Sequence, residues 1–168
     1  MATGMASFGK FVFLIFSGML LIPEQGAIGK NNETPRLPRF ACVKSSKANL
    51  HVGPGLQYPV DWVLTLKRMP VQIISEYGPW RRIKLCDDTI GWVHKSVLSS
   101  KKTIMFKSDS IIFHSPSEKS KKLAQVGKNV AAIITKTKND WTKVLVVAED
   151  GENFAGWVKT QRLWGATG

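Results

Sequence analysis

Apolar residues fall at every second position in Val60, Trp62, Leu64 and Leu66, and the runs Arg82-Ile83-Lys84-Leu85 and Trp141-Thr142-Lys143-Val144-Leu145-Val146 are rich in side chains that suit a pleated, half-buried surface. That period predicts strands, and helical spacing is nowhere sustained. Turn chemistry separates the runs: Gly53-Pro54-Gly55, Met69-Pro70, Gly78-Pro79, Asp87-Asp88, Gly127-Lys128-Asn129 and Asp150-Gly151. Short strands punctuated in this way predict an all-β chain, built as small barrels or sandwiches.

The N-terminal pattern is different. After Lys10, the twelve residues from Phe11 to Ile22 carry no charge before Pro23 closes the run. A bilayer span needs about 20 apolar residues, so this run suits the core of a signal peptide and predicts export. Gln25 stands two places before Ala27, where a cleavage site prefers a small residue, so residues 1–27 fit either a cleaved signal peptide or an uncleaved N-terminal anchor. Membrane contact is expected only through that segment. Residues 28–40, with Pro35 and Pro38 among Asn, Thr and Arg, read as a flexible leader.

The remainder repeats itself. Asn49-Leu50-His51-Val52-Gly53-Pro54-Gly55 aligns with Ile111-Ile112-Phe113-His114-Ser115-Pro116-Ser117 at an offset of 62, and Trp80 aligns with Trp141 at 61. Gly91-Trp92-Val93 returns as Gly156-Trp157-Val158 at an offset of 65, the extra residues falling at the Glu149-Asp150-Gly151-Glu152-Asn153 tip. Two copies are expected, over residues 41–99 and 103–165, with Ser99-Ser100-Lys101-Lys102 as their joint.

Charge narrows the function. The 168 residues hold 24 Lys and Arg against 12 Asp and Glu, a net charge of +12. An acidic solvating protein, a multipass membrane protein and a large two-lobed enzyme are excluded. Lysines cluster at Lys101-Lys102 and Lys119-Ser120-Lys121-Lys122. A basic surface draws polyanions, but export and the lack of an aromatic-rich RNA motif remove nucleic acid from the expected partners.

Candidate chemistry is sparse. Three histidines (His51, His94, His114) and two cysteines (Cys42, Cys86) are present, and Cys86 with His94 is the nearest thiol–imidazole pair in sequence. An oxidising compartment would instead pair Cys42 with Cys86, a disulfide worth about 3–4 kcal/mol if unstrained, and both readings stay open. No Cys-x-x-Cys, His-x-x-x-His or phosphate-loop pattern occurs, so neither metal nor cofactor is expected. The acidic pairs sit at turns, where carboxylates usually serve the turn. No catalytic residue is assigned.

One ordered series carries a resemblance. Asn49-Leu50-His51-Val52-Gly53-Pro54-Gly55, Val71-Gln72-Ile73-Ile74, Trp80-Arg81-Arg82-Ile83 and Gly91-Trp92-Val93 with Val97-Leu98 behind it resemble the bacterial Src-homology-3 domain, above all its exported tandem members. His51 stands where the family usually has Arg, and Pro70 where it usually has Gly. The second copy is degenerate, with Ile111 for the motif Asn and Ser115 for the motif Gly. The resemblance implies two tandem SH3-like β-barrels and a ligand groove near Tyr58, Trp62, Tyr77 and Trp80, with His51 and Arg81 as polar contacts. Trp92 and Trp157 are expected in the core, Trp80 and Trp141 half-available at strand starts. Family members often accompany cell-wall hydrolases, which implies a non-enzymatic periplasmic or envelope module. Its partner would be peptidoglycan stem peptide or an acidic envelope protein, with a peptide-binding scaffold as the alternative.

Overall fold

The structure is a computed structural model that describes residues 36–147 and 151–165. The signal or anchor segment, most of the leader and the Glu149-Asp150 tip lie outside the described residues. The first copy runs β1 (Arg39–Val43), β2 (Ala48–His51), β3 (Val60–Leu64), β4 (Pro70–Tyr77), β5 (Trp80–Lys84), β6 (Ile90–His94), a 3-10 turn (Lys95–Val97) and β7 (Leu98–Ser99). The second repeats the plan: β8 (Thr103–Phe106), β9 (Ser110–Phe113), β10 (Lys122–Val126), β11 (Ala131–Lys138), β12 (Trp141–Val147), β13 (Asn153–Lys159), a 3-10 turn (Thr160–Arg162) and β14 (Leu163–Gly165). β1 opens at Arg39, inside the segment read as leader, because Arg39 bridges Glu76 at 2.8 Å and Phe40 packs on Trp164.

Each copy is one seven-stranded antiparallel sheet, and the two strand orders match: β3-β2-β6-β5-β4-β1-β7 and β10-β9-β13-β12-β11-β8-β14. The ladders do not close. β3 and the two-residue β7 end the first sheet as edges, so the expected barrels are sheets curled around a core without a hydrogen-bonded seam. Val43, Leu50, Leu64, Val71, Ile83 and Val93, drawn from six strands, meet in one buried cluster. Ile104, Phe106, Ile112, Val126, Val144 and Val158 do the same in the second copy. Each such side chain contributes about 1.5–3 kcal/mol by leaving water.

The Gly-Trp-Val motif has a steric cause. A Cβ on Gly91 would lie 2.5 Å from Leu50 Cγ, and one on Gly156 would lie 2.4 Å from Ile112 Cγ2 and 2.6 Å from the Phe113 carbonyl oxygen. These glycines let β6 lie against β2, and β13 against β9, where the pairings His51↔Trp92 and Trp157↔Phe113 join the strands.

The alternation of Val60, Trp62 and Leu64 reads as a core face, yet only Leu64 is buried. Asp61 is an extra residue, since Leu50 pairs with Trp62 and His51 with Val60, and the strand is an edge with no neighbour beyond it. Trp62 is therefore 60% exposed. Trp80 and Trp141, expected half-available, are buried at 7% and 6% exposure. Trp157 is buried as expected, while Trp92 is half-buried.

The described residues belong to one compact unit, Thr34–Gly168. Phe40 meets Trp164 edge to face at 5.3 Å, and the Cys86 thiol donates to Met105 Sδ at 3.2 Å. Gly165, at φ +134°, passes so close to Pro70 that a Cβ there would sit 3.3 Å from the proline Cβ. Gly156→Ala should lower stability by about 1–3 kcal/mol, because the Phe113 carbonyl cannot move aside as a flexible side chain would. Urea unfolding followed by Trp fluorescence checks this, and an unchanged midpoint would show that the approach of β13 to β9 is not tight.

Candidate functional site: one hollow built twice

Trp80 opens β5, and antiparallel register sets His94 of β6 directly opposite it. His51, at the end of β2, closes on the other side. Both imidazoles meet the indole edge to face, His51 at 5.2 Å between centroids and His94 at 5.7 Å. Over this trio lies a hollow of about 380 Å³, lined also by Lys47, Ala48, Asn49, Leu56 and Val97.

For a neutral imidazole, the hydrogen bonds select the tautomer of each ring. His51 Nδ1 lies 2.9 Å from the Tyr58 carbonyl oxygen, which only accepts, so Nδ1 carries the proton and Nε2 is left as an acceptor. His94 Nδ1 accepts the Ser96 backbone N–H at 3.3 Å and lies 2.7 Å from Ser96 Oγ, so its proton sits on Nε2. The two rings flanking Trp80 thus offer one acceptor and one donor.

The second copy has a hollow at the equivalent place, about 390 Å³ in volume. Asp109, Ser110, Ile111, Phe113 and Glu118 line it where the first copy has Lys47, Ala48, Asn49, His51 and Leu56, an offset of 62 throughout. Lys159 and Arg162 replace His94 and Val97 at an offset of 65. Trp141 lies beneath, edge to face with Phe113 at 5.6 Å and with Lys159 Nζ 4.7 Å above its ring. Lys159 also donates to Asp140 at 2.6 Å, which holds the Asp140 carboxyl below the usual carboxylate range and raises the ammonium. The scaffold is repeated while the lining has changed from histidine and apolar groups to paired charges.

The family model for the bacterial SH3 domain matches residues 44–100 and again residues 107–165. The chain belongs to the bacterial SH3 domain family. No curated protein sequence matches it. Among solved structures it is similar to NlpC2 from Trichomonas vaginalis, at 13% identity and a TM-score of 0.34, over 76% of this chain and 48% of that one. An NlpC/P60 family protein from Bacillus cereus is similar at 15% identity and a TM-score of 0.33, over 76% and 56%. An NlpC/P60 endopeptidase from Photobacterium damselae subsp. piscicida is similar at 14% identity and a TM-score of 0.30, over 76% and 33%. The chain spans about half the length of the first of these or somewhat more of the second, and a third of the last.

Of the six groove residues read from the sequence of the first SH3 copy, His51 and Trp80 meet in the hollow. Tyr58 gives His51 its carbonyl partner and lays its ring over Gly53, where a Cβ would come within 2.5 Å of it. Trp62 stands exposed on the edge strand β3, and Tyr77, 66% exposed, sits at the β4–β5 turn outside the lining. Arg81 lines another, smaller hollow with Arg39 and Lys95, because neighbours on a strand face opposite ways. There it bridges Glu76 at 3.2 Å and donates to the carbonyls of Gly78 and Trp80. Lys47, Asn49, Leu56, His94 and Val97 were missed by sequence reasoning. A strict register for the β5–β6 hairpin would have found His94.

Cys42 and Cys86 are unbonded in the structure, and the strand register holds them apart. Cys42 lies opposite Pro70 on one side of β4, while β5, which Cys86 follows, pairs on the other side. Two strand spacings, about 10 Å, exceed the roughly 7 Å that a disulfide spans. Cys86 also sits at the turn end of the hairpin, whereas His94 lies four residues beyond Ile90 along β6, about 13 Å away at strand rise. Burial of its sulfur, then the charge of Asp87, pushes the Cys86 thiol up, against what a nucleophile needs. Among the described residues no cluster of His, Cys, Asp or Glu could hold a metal ion. An aromatic-disulfide thiol reagent should count one reactive thiol per native chain and two after denaturation, with the native reaction accelerating as pH rises above the usual thiol range. A native count of zero with a mass lower by two hydrogens would establish the disulfide instead.

Proposed function

We propose that this protein is an exported, non-enzymatic binding module of the cell envelope, whose first SH3 copy recognises the peptide portion of peptidoglycan or another anionic envelope component. The observation that carries the reading is the hollow over Trp80, repeated at equivalent positions in the second copy with different chemistry. Register makes the hollow recur but leaves its lining free, and an exchanged lining suits a surface that meets a ligand. The first hollow offers an indole floor, a donor and an acceptor from two histidines, the Lys47 ammonium and the Asn49 amide. A peptide amide or carboxylate satisfies such a set, since few polar groups on an apolar floor fix a small ligand. The net charge of +12 adds long-range attraction toward carboxylate-bearing wall polymers. Export rests on the uncharged run from Phe11 to Ile22.

A second reading draws on β3. Val60, Trp62 and Val63 are exposed on an unpaired edge, and an extended segment of an envelope protein could add to it as a strand.

Cosedimentation with purified peptidoglycan over a salt series separates the two, because an edge that binds only protein gives no retention on the wall polymer. Retention that persists at high salt and falls about five- to tenfold in Lys47→Ala and His94→Asn, a change of about 1–1.4 kcal/mol, supports the hollow. His94→Asn keeps a side chain able to accept from Ser96. Trp62→Ala is the clean probe of β3, since Trp80→Ala would cost about 3–5 kcal/mol of stability through a core cavity. Retention that vanishes with salt and is equal in all variants would leave only diffuse charge attraction and defeat the proposal.

A further inference from the structure

A fourth hollow, of about 700 Å³, opens where the two SH3 copies meet, within the range that small-molecule sites occupy. Its floor belongs to the second copy and its lip, Thr65 to Arg68, to the first. The repeat shows what made it. Ala124 of β10 occupies the place of Trp62, each opposite the buried aliphatic of the preceding strand. Ala132 of β11 occupies the place of Val71, and Ala131 that of Pro70. Trp62 and Pro70 have thus become alanine at one end of one copy, whereas Ala132 is a core residue whose lost volume is taken up by Ile104, opposite it in place of Ala41. One charged side chain has become aliphatic, since Leu145 stands for Lys84, and Val147 keeps the apolar character of Cys86. Enlargement and loss of polarity at the same spot are what an apolar occupant requires, and collapse of the core would not produce them.

The lip supplies the opposite chemistry. Lys67 and Arg68 line the hollow, and neither has an ion-pair partner among the described residues. Arg68 holds φ +66°, and the matching turn residue of the second copy is Asn129 at φ +64°. Asn tolerates that left-handed backbone and Arg does so rarely, so a cation is kept here against a local conformational cost. Phe154, 36% exposed, stands on the opposite wall.

We propose that this hollow is a second binding site, for a small amphiphile with an aliphatic body and one carboxylate or phosphate end. The body lies on Ala124, Ala131, Leu145 and Phe154, and the anion meets Lys67 and Arg68. The site is separate from the hollow over Trp80 and does not depend on its reading.

Calorimetry of the full chain with decanoate, decyl phosphate, decanol and decyltrimethylammonium, all below their micelle concentrations, tests it. Saturable one-to-one binding of decanoate, decyl phosphate or both is expected, with the better of the two identifying the head group. Affinity should fall at least tenfold in Lys67→Ser with Arg68→Asn and stay unchanged in Lys101→Ser with Lys102→Ser. Ala124→Trp with Ala131→Pro, which restores the residues of the first copy, should close the site. If that pair fails to fold, the Ala124 and Ala131 methyl resonances of the native chain replace it: they should shift on titration. Binding without saturation, equal binding of the cationic amphiphile, equal affinity in the lysine control and the Lys67/Arg68 pair, or methyl resonances that do not move would each overturn the proposal.

Discussion

A close backbone approach that only glycine permits, Gly91 beneath Leu50 and Gly156 beneath Ile112, carries the functional architecture of both copies. It brings the central β5–β6 and β12–β13 hairpins against the strand that ends in His51 or Phe113. From there register does the rest. Trp80 falls opposite His94 and Trp141 opposite Lys159, so each indole is enclosed by the last residue of one strand and the partner residue of another. The depth of the hollow follows from that enclosure, since the indole fills the space that would otherwise belong to the core.

With the scaffold fixed, the two copies differ at the positions the scaffold does not need. His51 can become Phe113 because both present a flat ring edge to the indole. His94 can become Lys159 because an ammonium over an indole face replaces an edge-on imidazole. Many buried aliphatic positions remain aliphatic, among them Leu50 and Ile112, Ile83 and Val144, and Val93 and Val158. Where the core changes it stays apolar, with Phe106 for Val43 and Ile104 for Ala41, while the linings of the hollows change in charge.

The strands and the repeat were legible because their causes are local: period-two alternation, turn residues and a recurring Gly-Trp-Val. The shared strand plan followed from the tandem resemblance. What the sequence concealed depends on pairing across strands. Trp62 reads as a core residue until the extra Asp61 and the lack of a further strand leave it open. Arg81 reads as a neighbour of Trp80 in the groove, yet adjacency along a strand places it on the other face. Cys42 and Cys86 invite a bridge that β4 keeps apart. The cavity between the copies appears only when Ala124, Ala131 and Leu145, on three different strands, are read against their counterparts.

Phe40 and Trp164 stand at opposite ends of the described chain, and their ring contact at 5.3 Å closes the pair of domains at the point furthest in sequence from the joint. The copies are therefore coupled at the joint and again through β1 and β14, unlike beads on a tether. Two sites carried on such a frame present one fixed span to a polymer. A polymer that engaged both hollows would have to match that span, and the second contact would then follow the first at high effective concentration. A polymer of any other spacing would meet one hollow at a time.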